Sequence, residues 1–208
     1  MHLNSEFLFK KYLQPYFKSG MTILEIGPDS RNPDIFKIIV NDPSIIWETV
    51  DIEKTYPELM YVCSGEYTFP MENNRYDIVF SSSVIEHVRK VWVWIKELAR
   101  VCKPGGQVLT ISPISWPYHG VPFDCWRIYP EGMKALYGEA GLQVESSFFQ
   151  TLEEGADLGK DYPGKSASRP AGKLGGLKQW VKKWVRWPNS YAVDLVTLGF
   201  KPGSSCDD

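Results

Sequence analysis

The stretch MTILEIGPDS, residues 21–30, is an apolar run that breaks at Gly27. The run predicts a buried β-strand over residues 22–26, and the glycine predicts a sharp turn where the backbone can approach a ligand closely. The next predicted strand, residues 47–51, ends at Asp51. A strand, a glycine turn, a helix and a second strand ending in an acid predict half of a nucleoside-binding crevice. In such a crevice the acid accepts hydrogen bonds from the ribose hydroxyls.

The residues after Gly27 argue against a dinucleotide as the ligand. A dinucleotide turn has three glycines, so that a pyrophosphate can sit on a helix N-terminus, whereas this chain continues with Pro28, Asp29 and Ser30. Asp29 would repel a pyrophosphate. The chain also lacks the Tyr-x-x-x-Lys pair of many nicotinamide-dependent dehydrogenases. The turn therefore predicts a ligand with a ribose and no phosphates, which describes S-adenosylmethionine.

The glycine turn is the first in a series of motifs that follow one another along the chain. They are Glu25-Ile26-Gly27-Pro28-Asp29, Asp51, Tyr76-Asp77-Ile78-Val79, Glu86-His87-Val88 and Pro104-Gly105-Gly106. With these motifs, residues 21–147 resemble the class I methyltransferases, in particular the group of small type-11-like enzymes. The resemblance implies a doubly wound, mostly parallel seven-stranded α/β sheet with helices on both faces, and a last strand that runs antiparallel between strands five and six. It also implies S-adenosyl-L-methionine as cofactor and S-adenosyl-L-homocysteine as product.

The composition is that of a single globular domain. The chain has 208 residues, of which 43% are hydrophobic and 23% charged, and no apolar run reaches the roughly 18 residues of a membrane span. The four cysteines are scattered without a C-x-x-C pair, so we predict no metal site, reduced thiols and a cytoplasmic protein. Three appendages are expected: an N-terminal helix in residues 1–20, an aromatic substrate loop at 113–130 and a flexible basic insertion at 151–189.

The hydrophobic pattern and the turn residues predict the remaining elements. Helices are expected from about residue 4 to 17, where Pro15 breaks or ends the helix early, and at 33–40, 91–102, 131–140 and 177–187. Strands are expected at 22–26, 47–51, 76–82, 107–112, 142–149 and 191–201. The Pro104-Gly105-Gly106 segment is predicted to be a turn that stops the preceding helix.

Several residues at the predicted crevice are candidates for cofactor binding. Asp51 would hold the ribose, beside Ile52, and the alternative is that it caps a helix. Gly27 and Pro28 would form the turn under the cofactor. By the resemblance, Glu25 would help to hold the cofactor's amino group or the turn around it, and its alternative is a role in turn structure alone.

The adenine and methionine ends of the cofactor site are less regular. The resemblance implies an acid before the Phe69-Pro70 segment, but Gly65 occupies that position. Ser64 or Glu66 could substitute, or the backbone alone could hold the adenine. Ser81, Ser82 and Ser83 end a strand where the resemblance implies contact with the methionine part, although their hydroxyls could instead cap the next short helix.

Three residues near the same edge are candidates for catalysis. Methyl transfer to a hydroxyl requires an aligned acceptor and a group that takes its proton, and histidine suits that task near neutral pH. His87 follows the fourth strand and His119 follows the fifth, while Asp124 could orient an imidazole or act as the base itself. The alternatives are a packing role for His87 and an exposed loop position for His119.

The loop after strand five is rich in aromatic residues and carries one arginine. Arg127 would be available for an anionic group of a substrate, and the aromatic residues would form a wall for it; they are Trp116, Tyr118, Phe123, Trp126 and Tyr129. The alternative is that these rings simply bury themselves. The segment Pro122-Phe123-Asp124-Cys125-Trp126-Arg127 resembles one found in methyltransferases of sugar and natural-product clusters.

The segment from residue 160 to 187 has eight Lys or Arg and one acid. Within it, residues 177–187 predict an amphipathic helix with tryptophans on one face. This helix could lie in an anionic membrane interface, but we favour a cover over the protein's own acidic body. Taken together, the sequence predicts a methyltransferase of a small molecule or glycan, acting on oxygen, with no nucleic-acid partner. The alternative is a non-catalytic cofactor-binding or scaffold protein that docks through the basic helix. The oligomeric state is left open.

Overall fold

The computed structural model describes residues 3–120, 123–153 and 192–203. Their central feature is one seven-stranded sheet in the order β3-β2-β1-β4-β5-β7-β6. The strands are β1 (Thr22–Ile26), β2 (Ile46–Asp51), β3 (Tyr61–Val62), β4 (Tyr76–Ser82), β5 (Cys102–Ser115), β6 (Gln143–Gln150) and β7 (Val193–Phe200). Strands β1 to β5 pair in parallel, and β7 is antiparallel to both β5 and β6.

Helices lie on both faces of this sheet. They are α1 (Leu3–Leu8), α2 (Ile35–Val40), α3 (Val91–Val101) and α4 (Pro130–Glu139). The chain continues α1 as a π-helical turn, Phe9–Leu13, and a 3-10 turn, Gln14–Tyr16. A further 3-10 turn, Ile85–His87, follows β4. None of the helices in the described part of the chain is both long and apolar enough to cross a bilayer.

The two faces of the sheet carry separate apolar clusters, because successive side chains of a strand point to opposite sides. In β1, Leu24 and Ile26 belong to the cluster with α3 and α4, whereas Ile23 packs with α2 and the N-terminal segment. In β4, Val79 and Phe80 divide in the same way. Burial on both faces explains why the central strands are continuous apolar runs.

The predicted architecture is confirmed, and two strands have the predicted limits, β1 at 22–26 and β4 at 76–82. The last strand lies antiparallel between β5 and β6, as the resemblance implied. The other described helices and strands are within a few residues of their predicted ends, apart from β5 and the N-terminal helix, whose α-helical part ends at Leu8 and continues as π and 3-10 turns to Tyr16. Strand β3 had no separate prediction, since two residues of sequence carry no periodic signal.

The observed start of β5 differs from the start predicted from the sequence. The segment Pro104-Gly105-Gly106, predicted to be a turn before the strand, lies inside β5, which begins at Cys102. Gly105 has the turn-like φ of 78°, but the segment is paired. Gly105 N donates to Lys201 O and Lys201 N donates to Gly106 O, so a partner almost a hundred residues away in sequence extends the strand.

The predicted basic helix at 177–187 and most of the predicted insertion at 151–189 lie outside the described residues. The same holds for Pro122 of the aromatic segment.

A buried polar network ties the N-terminal segment to the sheet. The Asn4 side chain donates to Asp194 Oδ2 at 2.8 Å and to Gln150 O at 3.1 Å, and its Oδ1 accepts from Leu152 N at 2.6 Å. Ser5 Oγ donates to the same Asp194 oxygen at 3.3 Å. Asn4, Ser5 and Asp194 are all fully buried, so the position of α1 is fixed by hydrogen bonds as well as by apolar packing.

Replacing Asn4 by alanine is therefore expected to destabilise the protein by about 2–3 kcal/mol, because three hydrogen bonds are lost and buried partners are left unsatisfied. Urea denaturation followed by circular dichroism measures the change. Lys10→Ala, at an exposed position of the same segment, is the matched control and should stay within about 0.5 kcal/mol of wild type. Equal stability of Asn4→Ala and Lys10→Ala would show that apolar packing alone holds α1.

Candidate active site

A cavity opens at the carboxyl ends of β1, β2 and β4, where the strand order reverses between β1 and β4. In open α/β sheets this reversal point leaves a crevice for ligands. The cavity has a volume of about 360 Å³. Gly27 lines it in the left-handed conformation, with φ of 63°, and a Cβ on this residue would lie 2.5 Å from Val84 Cγ2. A side chain at position 27 would thus be strained and would collide with the turn after β4.

Asp51 lies on the lining of this cavity, as the sequence predicted. Its Oδ1 accepts a hydrogen bond from Ile52 N at 2.7 Å, and its Oδ2 accepts a long one from Thr55 Oγ1 at 3.4 Å. Burial raises the pKa of Asp51 above its ordinary value, against these hydrogen bonds, which lower it. The carboxylate is held in a fixed orientation and keeps accepting capacity for hydroxyl groups in the cavity.

An ion pair lines the end of the cavity where the sequence predicted adenine binding. Glu66 lines the cavity, and its Oε1 lies 2.8 Å from Arg89 Nη2 and accepts from Arg89 Nε at 2.9 Å. The Arg89 guanidinium in turn lies 4.5 Å from the centre of the Phe123 ring. Ser64 and Gly65 are next to the lining residue Cys63 but are not part of the lining. Of the three predicted candidates, the structure brings Glu66 to the cavity.

Glu25 and Pro28 flank Gly27 in the chain, but both are buried beside the cavity rather than on its lining. Glu25 Oε2 accepts a hydrogen bond from Trp47 Nε1 at 2.7 Å on the α2 side of the sheet. Burial raises the pKa of Glu25 to about 8. Glu25 therefore lies beside the Gly27 turn and does not line the cavity. This position fits the alternative of a role in turn structure alone.

The serines that end β4 are placed differently from the expectation. Ser81 and Ser82 are buried, and it is Ser83 that lines the cavity. Ser83 has a φ of 56°, an uncommon conformation for a residue with a Cβ, and its N–H donates to Ile111 O at 2.9 Å. Local strain of this kind is characteristic of functional sites. The sequence analysis placed Ser83 with Ser81 and Ser82 at the methionine end of the site, and of these three serines the structure brings Ser83 to the cavity.

Two histidines from different loops meet at the edge of the cavity. The rings of His87 and His119 are perpendicular, with centres 5.0 Å apart, and His87 lines the cavity. His87 Nδ1 bonds to Phe123 O, and burial lowers the pKa of His87. The prediction that both histidines lie at the carboxyl edge of the sheet agrees with this arrangement.

Glu86 lies beside this pair and was not predicted as a site residue. It is 1% exposed, and neither carboxylate oxygen has a hydrogen-bond partner among the described residues. Burial raises the pKa of Glu86 to about 8. The backbone carbonyl of Glu86 accepts from Cys125 N at 2.7 Å, which attaches the aromatic loop to the turn after β4.

Asp124 joins the histidines to Arg127. Asp124 Oδ2 lies 3.3 Å from His119 Nδ1 and accepts from His119 N at 3.0 Å. The Arg127 guanidinium donates to both oxygens of Asp124, which lowers the pKa of that carboxyl to about 2. Arg127 also donates to Trp116 O at 3.3 Å. The structure thus gives Arg127 an internal partner, whereas the sequence had left it available for an anionic substrate group.

The aromatic loop is divided between buried and exposed rings. Trp126 packs against the apolar core and donates from Nε1 to Val88 O at 2.8 Å. Its position fits the alternative that the rings bury themselves rather than the predicted place in a substrate wall. Trp116 is half-buried, and Tyr118 is 80% exposed. The ring that reaches the cavity is Phe123, which the sequence placed in the aromatic wall without singling it out.

The strand order with β7 antiparallel beside β5, and the crevice between β1 and β4, define the fold of class I methyltransferases. Residues 44–110 match the sequence profile of the family described as "Methyltransferase domain". No curated protein matches the chain significantly.

Solved structures with the same fold include several methyltransferases. One is an S-adenosylmethionine-dependent methyltransferase from Archaeoglobus fulgidus, 17% identical, with a TM-score of 0.61 over 95% of this chain and 93% of that one. Another is phosphoethanolamine N-methyltransferase 2 from Haemonchus contortus in complex with S-adenosyl-L-methionine, 13% identical, with a TM-score of 0.59 over 96% of this chain and 53% of that one. A third comes from a complex of a methyltransferase with the Haloferax volcanii Trm112 activator, 16% identical, with a TM-score of 0.61 and coverage of 96% and 89%.

At these identities the structural likeness shows the fold alone. Together with the methyltransferase-domain match over residues 44–110, it agrees with the predicted resemblance to class I methyltransferases and supports S-adenosylmethionine as the cofactor.

The buried carboxyl of Glu25 predicts a pH dependence of stability. In the unfolded chain this group ionises near its ordinary pKa of 4.5, whereas in the folded protein it keeps its proton up to about pH 8. Between these values the folded state binds the extra proton, so stability falls as pH rises and then levels off. The stability of wild type relative to Glu25→Gln should therefore decline by up to about 1.4 kcal/mol per pH unit in this window.

Urea denaturation of both proteins at pH 5, 6.5, 8 and 9 measures this difference. The amide keeps an oxygen acceptor for Trp47, so the comparison isolates the ionisation of Glu25. A difference that stays constant with pH would show that Glu25 is ionised in the folded protein.

Proposed function

We propose that the protein transfers a methyl group from S-adenosylmethionine to a hydroxyl of a small molecule or glycan. The observation that carries this proposal is the meeting of His87 and His119 at the edge of the cavity that contains Gly27 and Asp51. The histidine pair lies where an acceptor hydroxyl can approach a cofactor bound in the crevice, and imidazole is the side chain best suited to handle the proton of a hydroxyl near neutral pH.

The cofactor would lie along the cavity from Asp51 to His87. Asp51 would accept hydrogen bonds from both ribose hydroxyls, and the open space above Gly27 would admit the backbone of the ligand. Glu66 and Phe123, linked through Arg89, would enclose the adenine. Ser83 would face the methionine part, at the end of β4. All seven lining residues in this arrangement come from the ends of strands or from the loops that follow them, so one edge of the sheet would position the whole ligand.

In the transfer, a lone pair of the acceptor oxygen attacks the methyl carbon and forms the C–O bond. The bond between that carbon and sulfur breaks, and its electron pair stays on sulfur, so the sulfonium becomes the neutral thioether of S-adenosylhomocysteine. The proton of the hydroxyl is lost to the protein and then to water. The protein has to align oxygen, carbon and sulfur, exclude water and assist the loss of that proton.

His119 and Asp124 form the arrangement expected of an oriented base. Asp124 is fixed by Arg127 and lies 3.3 Å from His119 Nδ1, so the carboxylate orients the ring and leaves Nε2 facing away from it. His87 is oriented in a similar way by Phe123 O, through its own Nδ1. Both rings therefore offer Nε2 for contact with the acceptor or its proton, while Tyr118, exposed beside His119 in the chain, offers an aromatic surface to a sugar or phenol.

The proposed partner is thus a small molecule or glycan rather than a nucleic acid, and the proposed location is the cytoplasm, on the scattered cysteines of the sequence.

Asp51→Ala is expected to weaken S-adenosylhomocysteine binding at least about tenfold, because two charge-assisted hydrogen bonds to the ribose are lost. Isothermal titration calorimetry measures the affinity. Glu58→Ala, an exposed acid in the loop that follows Asp51, is the control and should bind like wild type. An unchanged affinity in Asp51→Ala would remove the ribose assignment, and the absence of binding by well-folded wild type would overturn the cofactor site.

The acceptor can be identified with methyl-labelled cofactor and panels of sugars, phenols, amines and carboxylates. We expect turnover with a hydroxyl-bearing panel, and we expect His87→Ala and His119→Ala to lower kcat at saturating cofactor by about 10²-fold or more. His2→Ala, which alters the remaining histidine, should keep wild-type turnover.

Other results of that screen would contradict the proposal in defined ways. Transfer only to amines would replace oxygen by nitrogen as the acceptor. A decrease in kcat of less than about tenfold in both histidine variants would show that alignment of the reactants, and not proton removal by a histidine, accounts for catalysis. A protein that binds S-adenosylhomocysteine but methylates no panel would favour the non-catalytic alternative.

A further inference from the structure

We propose that Glu86, His87 and His119 form a binding site for a divalent transition-metal ion. One ligand atom from each of these side chains lies within 4.8 Å of the other two. Within that set, His87 Nε2 is 3.8 Å from Glu86 Oε1. The sequence predicted no metal site, because that expectation rested on the spacing of the cysteines. The three ligands here come from two loops and meet only in the folded chain.

The hydrogen bonds of the two histidines support this assignment. A metal-bound imidazole characteristically donates its other ring N–H to a carbonyl or a carboxylate, which fixes the tautomer. His87 Nδ1 bonds to Phe123 O, and His119 Nδ1 lies 3.1 Å from Pro117 O and 3.3 Å from Asp124 Oδ2. In both rings the Nδ1 atom is already used as a donor, so each Nε2 atom carries a free lone pair.

The Glu86 carboxylate is the second, independent observation. It is 1% exposed, and both of its oxygens lack a hydrogen-bond partner within the described residues. A buried carboxylate without partners is costly unless a cation or a donor reaches it. The nearby arginine does not meet this need, since Arg127 is engaged by both oxygens of Asp124. A metal ion between Glu86 and the two Nε2 atoms would satisfy all three groups at once.

The ligand set decides the class of ion. Two imidazole nitrogens and one carboxylate oxygen suit Zn²⁺, Co²⁺ and related first-row ions, whereas Mg²⁺ and Ca²⁺ prefer oxygen ligands alone. In a tetrahedral zinc site, ligand atoms lie about 3.4 Å apart. The side chains therefore need to close by up to about 1.4 Å, a movement that side-chain rotation on the two loops can supply.

Three protein ligands leave one coordination position for a further ligand, as in catalytic zinc sites. His87 lines the cavity, so this position would face the space assigned to the acceptor. With both Nε2 atoms bound to the ion, the ion rather than a free imidazole would promote the loss of the proton from an acceptor hydroxyl held there. This last role rests on the proposed function, but binding of the ion does not.

The test is a titration of chelator-treated, dialysed protein with Co²⁺, followed by visible absorption and by competition with Zn²⁺. We expect one high-affinity site in wild type. His87→Ala, His119→Ala and Glu86→Gln should each bind at least about tenfold more weakly, and Asp124→Asn about 10- to 100-fold more weakly, through loss of ligand orientation. Glu66→Gln, in a cavity carboxylate outside the cluster, and Cys125→Ser, in an exposed thiol near it, are controls that should bind like wild type.

The metal proposal and the methylation proposal fail separately. Absence of stoichiometric Co²⁺ binding by wild type, or equal binding in all three ligand variants, would overturn the metal site, whatever the turnover. If a variant does not fold, X-ray absorption of zinc-loaded wild type decides: two imidazoles and an oxygen support the site, and a sulfur-containing or all-oxygen shell overturns it. Turnover that survives the chelator but falls in the histidine variants would retain the proposed function and remove the ion.

Discussion

The burial of β1 and β4 on both faces is the constraint on which the site depends. Their side chains are enclosed by helices on either side of the sheet, so the polar groups of this region are confined to the strand ends. The chain leaves the two strands in different directions, and the gap between the departing loops is the cavity. Gly27 and Ser83 occupy these two exits, both with positive φ. The apolar centre of the sheet thus determines where polar chemistry can occur.

The sequence predicted those parts of the fold that local pattern controls. The limits of β1 and β4 follow from apolar runs, and Asp51 could be placed near Gly27 because parallel strands end at one edge. The extension of β5 through Pro104 and Gly105 could not be predicted, because it depends on pairing with Lys201. The hydrogen-bond network of Asn4 could not be predicted for a similar reason. Polar residues are usually exposed, and only the folded chain brings Asp194 to Asn4 and Ser5.

In the candidate site, too, local sequence predicted some features, and others depend on tertiary contacts. The histidines were predicted individually from their positions after strands, but their contact depends on the loop folding back so that Cys125 bonds to Glu86 O. In the same loop Arg127 donates to both oxygens of Asp124, although the sequence analysis had left it available for an anionic substrate group. Glu86 is part of a motif that the sequence analysis quoted, yet its burial without a partner is a property of the assembled loops. The contacts that join the two loops are therefore more than thirty residues apart in sequence, whereas the pairs of Asp124 with Arg127 and with His119 are local.

The position of β7 has a consequence for how the chain acquires its structure. This strand is the last described one in the chain, but it lies inside the sheet, between β5 and β6. Until residues 193–200 have left the ribosome, β5 and β6 both present unpaired backbone edges, and such edges are prone to aggregation. The pairing of β7 with β5 also joins the strands of the described sheet that lie furthest apart in sequence, from Gln107 with Phe200 to Ser115 with Val193, and distant pairings slow folding. Insertion of β7 thus covers both edges in one step, and the interval before it is the stage of folding at which the unpaired backbone of β5 and β6 is most exposed.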